Sequence, residues 1–154
     1  MLIDTHCHLD AAEFDSDREV VIARAQQQGV QGIVLPAVEV ANFAAVQALA
    51  RELKGGAYAL GIHPMYVPRA QAHDLDTLAH WLSAHINDPR LVAVGEIGID
   101  LFWRQDNLPE QQQAFLQQIS WAVELDLPVV IHSRESCSLI LDLLEDIQVK
   151  GVFH

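Results

Sequence analysis

Pro128-Val129-Val130-Ile131-His132-Ser133-Arg134 runs apolar for four residues and then turns polar at once. A strand with one wet face alternates apolar and polar residues. A near-continuous apolar run instead belongs to a strand covered on both faces, as in a parallel sheet flanked or encircled by helices. Similar runs recur at Leu2 to Thr5, Gly32 to Leu35, Ala57 to Gly61, Leu91 to Gly95 and Gly151 to Phe153. Between them, apolar residues repeat every three or four positions, the period of a helix lying on a sheet.

Each predicted helix has its own punctuation. Ser16 and Glu19 read as a capping box opening a helix that stops at Gly29. A second runs from about Asn42 to Leu53, ahead of Gly55-Gly56, and a third lies near Asp76 to Ile86, ahead of Asp88-Pro89. Pro109 opens a fourth, with Phe115, Ile119, Ala122 and Val123 as its apolar stripe. The fifth, about Ser136 to Ile147, turns Leu139, Ile140, Leu143, Leu144 and Ile147 inward. Strands starting every 23 to 37 residues have the pacing of a TIM-like (β/α)8 barrel, which typically needs about 250 residues. The prediction is an α/β fold of six strands and five helices in one domain, 1-154, stopping mid-pattern. Its two open edges would present unpaired N–H and C=O groups to another chain or to a continuing segment.

Composition removes several other classes. Of 154 residues, 51% are hydrophobic and 19% charged, enough apolar material to exclude a disordered chain. No apolar run approaches the roughly 20 residues of a spanning helix. MLIDTHCHLD lacks the basic end and apolar run of a signal peptide, and Cys7 and Cys137 cannot form a disulfide framework, so a cytoplasmic location is expected. A net charge of −12 argues against capture of nucleic acid on a broad basic face. It leaves room for a locally positive site.

Chemistry gathers where the strands end. His6 and His8 flank Cys7, and alternation along an extended chain sends both imidazoles to one side and the thiol to the other. Glu96 follows the fourth strand, His132 the fifth and His154 the sixth. Each alone reads equally as a polar residue leaving a sheet. Together they share the carboxyl-terminal rim, where βα-barrel enzymes assemble their sites. Imidazole plus carboxylate suits Zn²⁺, Mn²⁺ or related divalent ions, and suits Mg²⁺ where carboxylates dominate. Five ligands exceed the three protein ligands of one open catalytic zinc, which points to two ions bridged by Glu96. Those ions would form a positive patch for a phosphate-bearing substrate. His63, closing the third strand before Pro64, is a candidate for substrate contact or proton transfer. Arg134 offers the forked donors that phosphate favours. His73, His80 and His85 receive no role. Trp81, Trp103 and Trp121 read as packing residues in preference to base-stacking platforms, Trp103 being the first to reconsider because it follows the Glu96 loop.

Ile3-Asp4-Thr5-His6-Cys7-His8-Leu9-Asp10, Gly61-Ile62-His63-Pro64, Val94-Gly95-Glu96-Ile97-Gly98-Ile99-Asp100, the stretch from Pro128 to Arg134, and Gly151-Val152-Phe153-His154 resemble, in order and spacing, the TatD family of metal-dependent deoxyribonucleases. The resemblance runs from first residue to last. It implies a TIM-like barrel of the metal-dependent hydrolase superfamily, divalent metals at the barrel mouth and phosphodiester hydrolysis from DNA ends. It also implies that His6 and His8 bind one metal, that Glu96 bridges, that His132 and His154 bind the second, and that His63 and Arg134 face the substrate phosphate. Family members continue through the rest of the barrel and carry an Asp after the eighth strand that completes the metal site. This chain has no counterpart, so a fragment of a longer product is expected, neither stable nor active by itself. Two other readings stay open: a truncated barrel that binds metal without turnover, and a hydrolase of amides or esters with the same metals. Lys54 and Lys150 do not follow strands, which favours Glu96 over a carboxylated lysine as the bridge.

Overall fold

The apolar runs pair side by side. In the structure, a computed structural model that describes residues 2–102 and 105–154, the elements are β1 (Leu2–Asp4), α1 (Arg18–Gln27), β2 (Val30–Pro36), α2 (Phe43–Glu52), β3 (Gly56–Leu60), α3 (Asp74–His85), β4 (Leu91–Asp100), α4 (Leu108–Glu124), β5 (Val129–Arg134), α5 (Cys137–Leu144) and β6 (Gly151–Phe153). All six strands are parallel and lie in sequence order. The sheet curls. His6 follows one edge strand and His154 the other, yet their rings stack 3.7 Å apart at 7°.

Side-chain size differs between the two faces. Tyr58 turns toward the helices, where its hydroxyl accepts from Gln47 of α2 and donates to Asp88, both at 3.1 Å. Leu60, Val94, Ile97, Val129 and Ile131 belong with it to one large core beneath α2, α3 and α4. Ala59 points the other way and forms a separate buried cluster with Ala93 and Val130 on the concave face. The margins are bare. Every residue of β1 and β6 is exposed, and α1 buries none of its residues.

Three local expectations change. Asp17, not Ser16, stands at the start of α1, and no side chain caps it. Arg18 organises this region, donating to the carbonyls of Leu9 at 2.7 Å and Ala11 at 3.2 Å and pairing with Asp15 at 2.7 Å. The helix does stop at Gly29, whose φ of +91° needs a residue without Cβ. On α4, Val123 is 47% exposed. Gln111 and Gln118, one heptad apart, are buried beside Phe115 and Ile119 instead. Finally, β4 does not end at Gly95. It continues to Asp100 with a register irregularity between Val94 and Ile97, where three steps along β4 match two along β5. Such a bulge re-aims a side chain, and the one it re-aims is Glu96.

The two buried glutamines position the site strands. Gln118 accepts from Ile62 N–H at 2.7 Å and donates to Ile62 C=O at 3.2 Å, while Gln111 does the same to Asp100 at 2.8 and 3.2 Å. A side-chain amide has one donor end and one acceptor end, so each replaces a missing neighbour strand. Replacing Gln118 by Leu keeps the volume and orphans both backbone groups of Ile62. Denaturant unfolding should show a loss of about 2 to 4 kcal/mol; a change below about 0.5 kcal/mol would show that the pairing contributes little.

Candidate metal centre

Glu96 is 2% exposed and surrounded by imidazoles. Its Oε2 lies 3.1 Å from His6 Nε2 and 3.2 Å from His8 Nε2, and those two nitrogens are 3.1 Å apart. Ligand atoms about 2.0 to 2.1 Å from a tetrahedral ion stand about 3.3 Å apart. The triangle therefore has nearly the edge length of a coordination polyhedron. Oε1 lies 3.1 Å from His132 Nδ1 and 3.5 Å from His63 Nε2, forming a second group that shares the same carboxylate. The donor set fits divalent cations. His6 Nδ1 is buried without a hydrogen-bond partner.

The other ring nitrogens sort the histidines by tautomer. His132 lies between two carboxylates, Nε2 3.0 Å from Asp100 Oδ2 and Nδ1 3.1 Å from Glu96 Oε1. Both oxygens only accept when ionised, so the charged ring donates at both ends, and Asp100 retains Nε2–H when Nδ1 gives up its proton to ligate a cation. His8 likewise hydrogen-bonds the backbone of Pro36, and its Nε2 is the nitrogen facing Glu96. His63 is the reverse. Its Nδ1 accepts from Met65 N–H at 3.1 Å, so in the neutral ring Nε2–H is a donor.

Electrostatics follow from the same contacts. Burial alone would raise the Glu96 pKa, but hydrogen bonds from His132, His6, His63 and His8 outweigh it and hold the carboxyl well below its usual range. Burial lowers His63, keeping that ring neutral. His132 is raised despite burial because Glu96 and Asp100 favour its charged form, and the Glu96 hydrogen bond raises His8. Burial and the charge of His6 lower His154.

Of the predicted residues, His6, His8, His63 and His132 surround Glu96, and His154 stacks on His6. Arg134 is not brought to Glu96. Its guanidinium lies 3.6 Å above the Phe102 ring, on an exposed part of the rim. His85 packs on Trp81 and His73 beside Asp74, away from both groups. Trp81 stacks edge-on with Phe43 and Trp121 packs on the core, whereas Trp103 lies outside the described residues. Asp100, 1% exposed, is the site residue that the reading of strand ends missed. With β4 taken to end at Gly95, nothing marked it. Period two along Glu96-Ile97-Gly98-Ile99-Asp100 is the signal that could have found it. Gly98 allows the tight approach, since a Cβ there would meet the His132 carbonyl oxygen at 2.0 Å and its φ is +150°.

A curled parallel sheet with a histidine and carboxylate cluster at its carboxyl rim defines the class of TIM-barrel metal-dependent hydrolases. Within that class the chain belongs to the TatD related DNase family, whose model matches residues 3–154. It is 39% identical over 154 residues to the metal-dependent hydrolase YjjV of Escherichia coli (strain K12), covering 99% of this chain and 59% of that protein. It is also 33% identical to the 3'-5' ssDNA/RNA exonuclease TatD of Shigella flexneri, covering 94% and 54%. The crystal structure of the E. coli YjjV superposes with a TM-score of 0.85 over 94% of this chain and 55% of that one. A TatD family hydrolase from Entamoeba histolytica, 23% identical and covering 99% and 57%, gives the same TM-score and supports the fold. The chain thus spans somewhat over half the length of these relatives.

The shared carboxylate makes a prediction for the complete gene product. Glu96 belongs to both candidate ligand groups and His8 to one, so Glu96→Ala should weaken cation binding more than His8→Ala does. Calorimetric titration with Mn²⁺ checks this; equal loss in the two variants would contradict a shared ligand.

Proposed function

We propose that the protein carrying this chain hydrolyses phosphodiester bonds of DNA, acting at strand ends with two divalent cations, Mg²⁺, Mn²⁺ or Zn²⁺, at the centre of Glu96. The observation that carries this reading is one buried carboxylate whose two oxygens each face imidazole nitrogens at ligand spacing. His6 and His8 would hold one cation with Oε2, and His132 the other with Oε1, His154 completing the second set. Divalent ions supply Lewis-acid polarisation of phosphoryl oxygen and acidify water. The name of the Shigella relative, an ssDNA/RNA exonuclease, supports a nucleic-acid substrate.

The residues themselves divide the remaining work. Glu96, kept ionised by its neighbours, is the catalytic carboxylate that joins the two halves of the centre. His63, neutral and with Nδ1 occupied by the Met65 N–H, offers its Nε2–H, which faces Glu96, as a hydrogen-bond donor to a phosphoryl oxygen of a substrate bound there. Asp100 holds the His132 ring. Arg134, poised on Phe102, reaches the substrate phosphate by leaving that ring. Residues 1–154 form one domain, and their bare β1 and β6 edges take further strands. No helix among the described residues is long and apolar enough to cross a membrane, and the cytoplasm is the proposed location.

The complete gene product should degrade single-stranded DNA when supplied with Mg²⁺ or Mn²⁺, and fall to background after exhaustive chelation or on Glu96→Ala. Residues 1–154 expressed alone should cleave at background rate. Undiminished hydrolysis by the chelated protein would refute the metal-dependent reading, and full activity of the isolated segment would refute the need for further strands.

A further inference from the structure

A groove of about 350 Å³ adjoins the candidate centre. Its inner wall is made by His8 and His63, two of the residues around Glu96, and its outer wall by Asp10, Asn42, Met65 and Tyr66. The volume falls within the range of small-molecule sites. Three loops build it, those following β1, β2 and β3.

Two features say what it takes. The first is an acceptor without a donor: Asp10 Oδ2 accepts from Asn42 Nδ2 at 2.8 Å, while Oδ1 is buried and has no partner. Asn42 cannot turn to serve it, because its Oδ1 is occupied by the N–H groups of Val38 and Glu39, each at 3.2 Å. A buried carboxylate oxygen left unpaired is costly, so a donor from outside is favoured there. The second is a fixed aromatic wall. The guanidinium of Arg69 lies 4.1 Å from the Tyr66 ring centre and is itself held by Glu39 at 2.7 Å.

Phosphate does not suit this groove, since Asp10 and Glu39 repel it and Arg69 is already paired. A cation does not suit it either, because among the described residues no further histidine, cysteine or carboxylate completes a ligand group with Asp10. What fits is a flat, neutral ring edged with N–H donors. We infer that the groove between Asp10 and Tyr66 receives a nucleobase flanking the scissile bond, with Tyr66 against the ring and Asp10 Oδ1 accepting from its N–H edge. This rests on the phosphodiesterase reading. A phosphate at the Glu96 centre would place its attached nucleoside beside His8 and His63, at the mouth of the groove.

The test compares two substrates on one enzyme preparation, so that any loss of folded protein cancels. Complete gene product with Mg²⁺ or Mn²⁺ is given a single-stranded oligonucleotide, and the same oligonucleotide abasic at the nucleotide on one or the other side of the cleaved bond. Wild type should prefer the intact strand by about tenfold in kcat/KM for one of the two positions, the size of a base–aromatic stack. Tyr66→Ala should remove most of that preference, mainly through KM, and Asp10→Asn should reduce it while Tyr66→Phe retains it. Equal cleavage of intact and abasic strands by wild type, or a preference that survives both Tyr66→Ala and Asp10→Asn, overturns the subsite alone. Failure of wild type to cleave any oligonucleotide overturns the phosphodiesterase reading and the subsite with it.

Discussion

A carboxylate as buried as Glu96 must find compensating charge or donors close at hand, because removing an ion from water costs several kcal/mol even after relaxation. Here the compensation comes from imidazoles on three different strand ends: His6 and His8 after β1, His63 after β3 and His132 within β5. No short segment can bring these together. Only a parallel sheet, with every strand delivering its carboxyl end to the same side, and curled so that both margins approach, sets them around one point. The burial of Glu96 and the curvature of the sheet are therefore one requirement seen at two scales.

Identical imidazoles acquire different duties through their outer neighbours. Asp100 holds the Nε2–H of His132, whereas the Met65 N–H occupies Nδ1 of His63 and leaves its Nε2–H as the hydrogen-bond donor. The surrounding hydrogen bonds thus set which nitrogen each histidine turns toward Glu96 and in what protonation state, within a cluster where every ring lies close to the same group.

Much of this was legible in the sequence, and the failures have physical causes. Near-continuous apolar runs marked all six strands; in the four inner ones the run reflects burial, while β1 and β6 carry theirs although their residues are exposed in this chain. The residues that gather around Glu96 were legible because they sit at or just past the ends of those runs. Asp100 was hidden since glycines at 95 and 98 read as a loop, while in the fold they let β4 continue beside β5 without a steric clash. Gln111 and Gln118 were hidden because polarity was equated with exposure; a glutamine whose amide pairs with backbone is as much a core residue as Phe115 between them. Arg134 was singled out from its position after the fifth strand, and its packing on the exposed Phe102 face is a tertiary effect that no local pattern reports.

The two glutamines also bear on how this fold can vary. A surface helix commonly tolerates gain or loss of a residue, since the change is absorbed in the loops. In α4 the amides of Gln111 and Gln118 must both point at the sheet, and a single insertion between them would rotate one by about 100° away from its strand. Length variation in relatives of this chain should accordingly be barred from the seven-residue interval between them and pushed to the helix ends. The helix acts as a ruler whose two marks locate the ends of β3 and β4, and so govern where His63 and Asp100 stand.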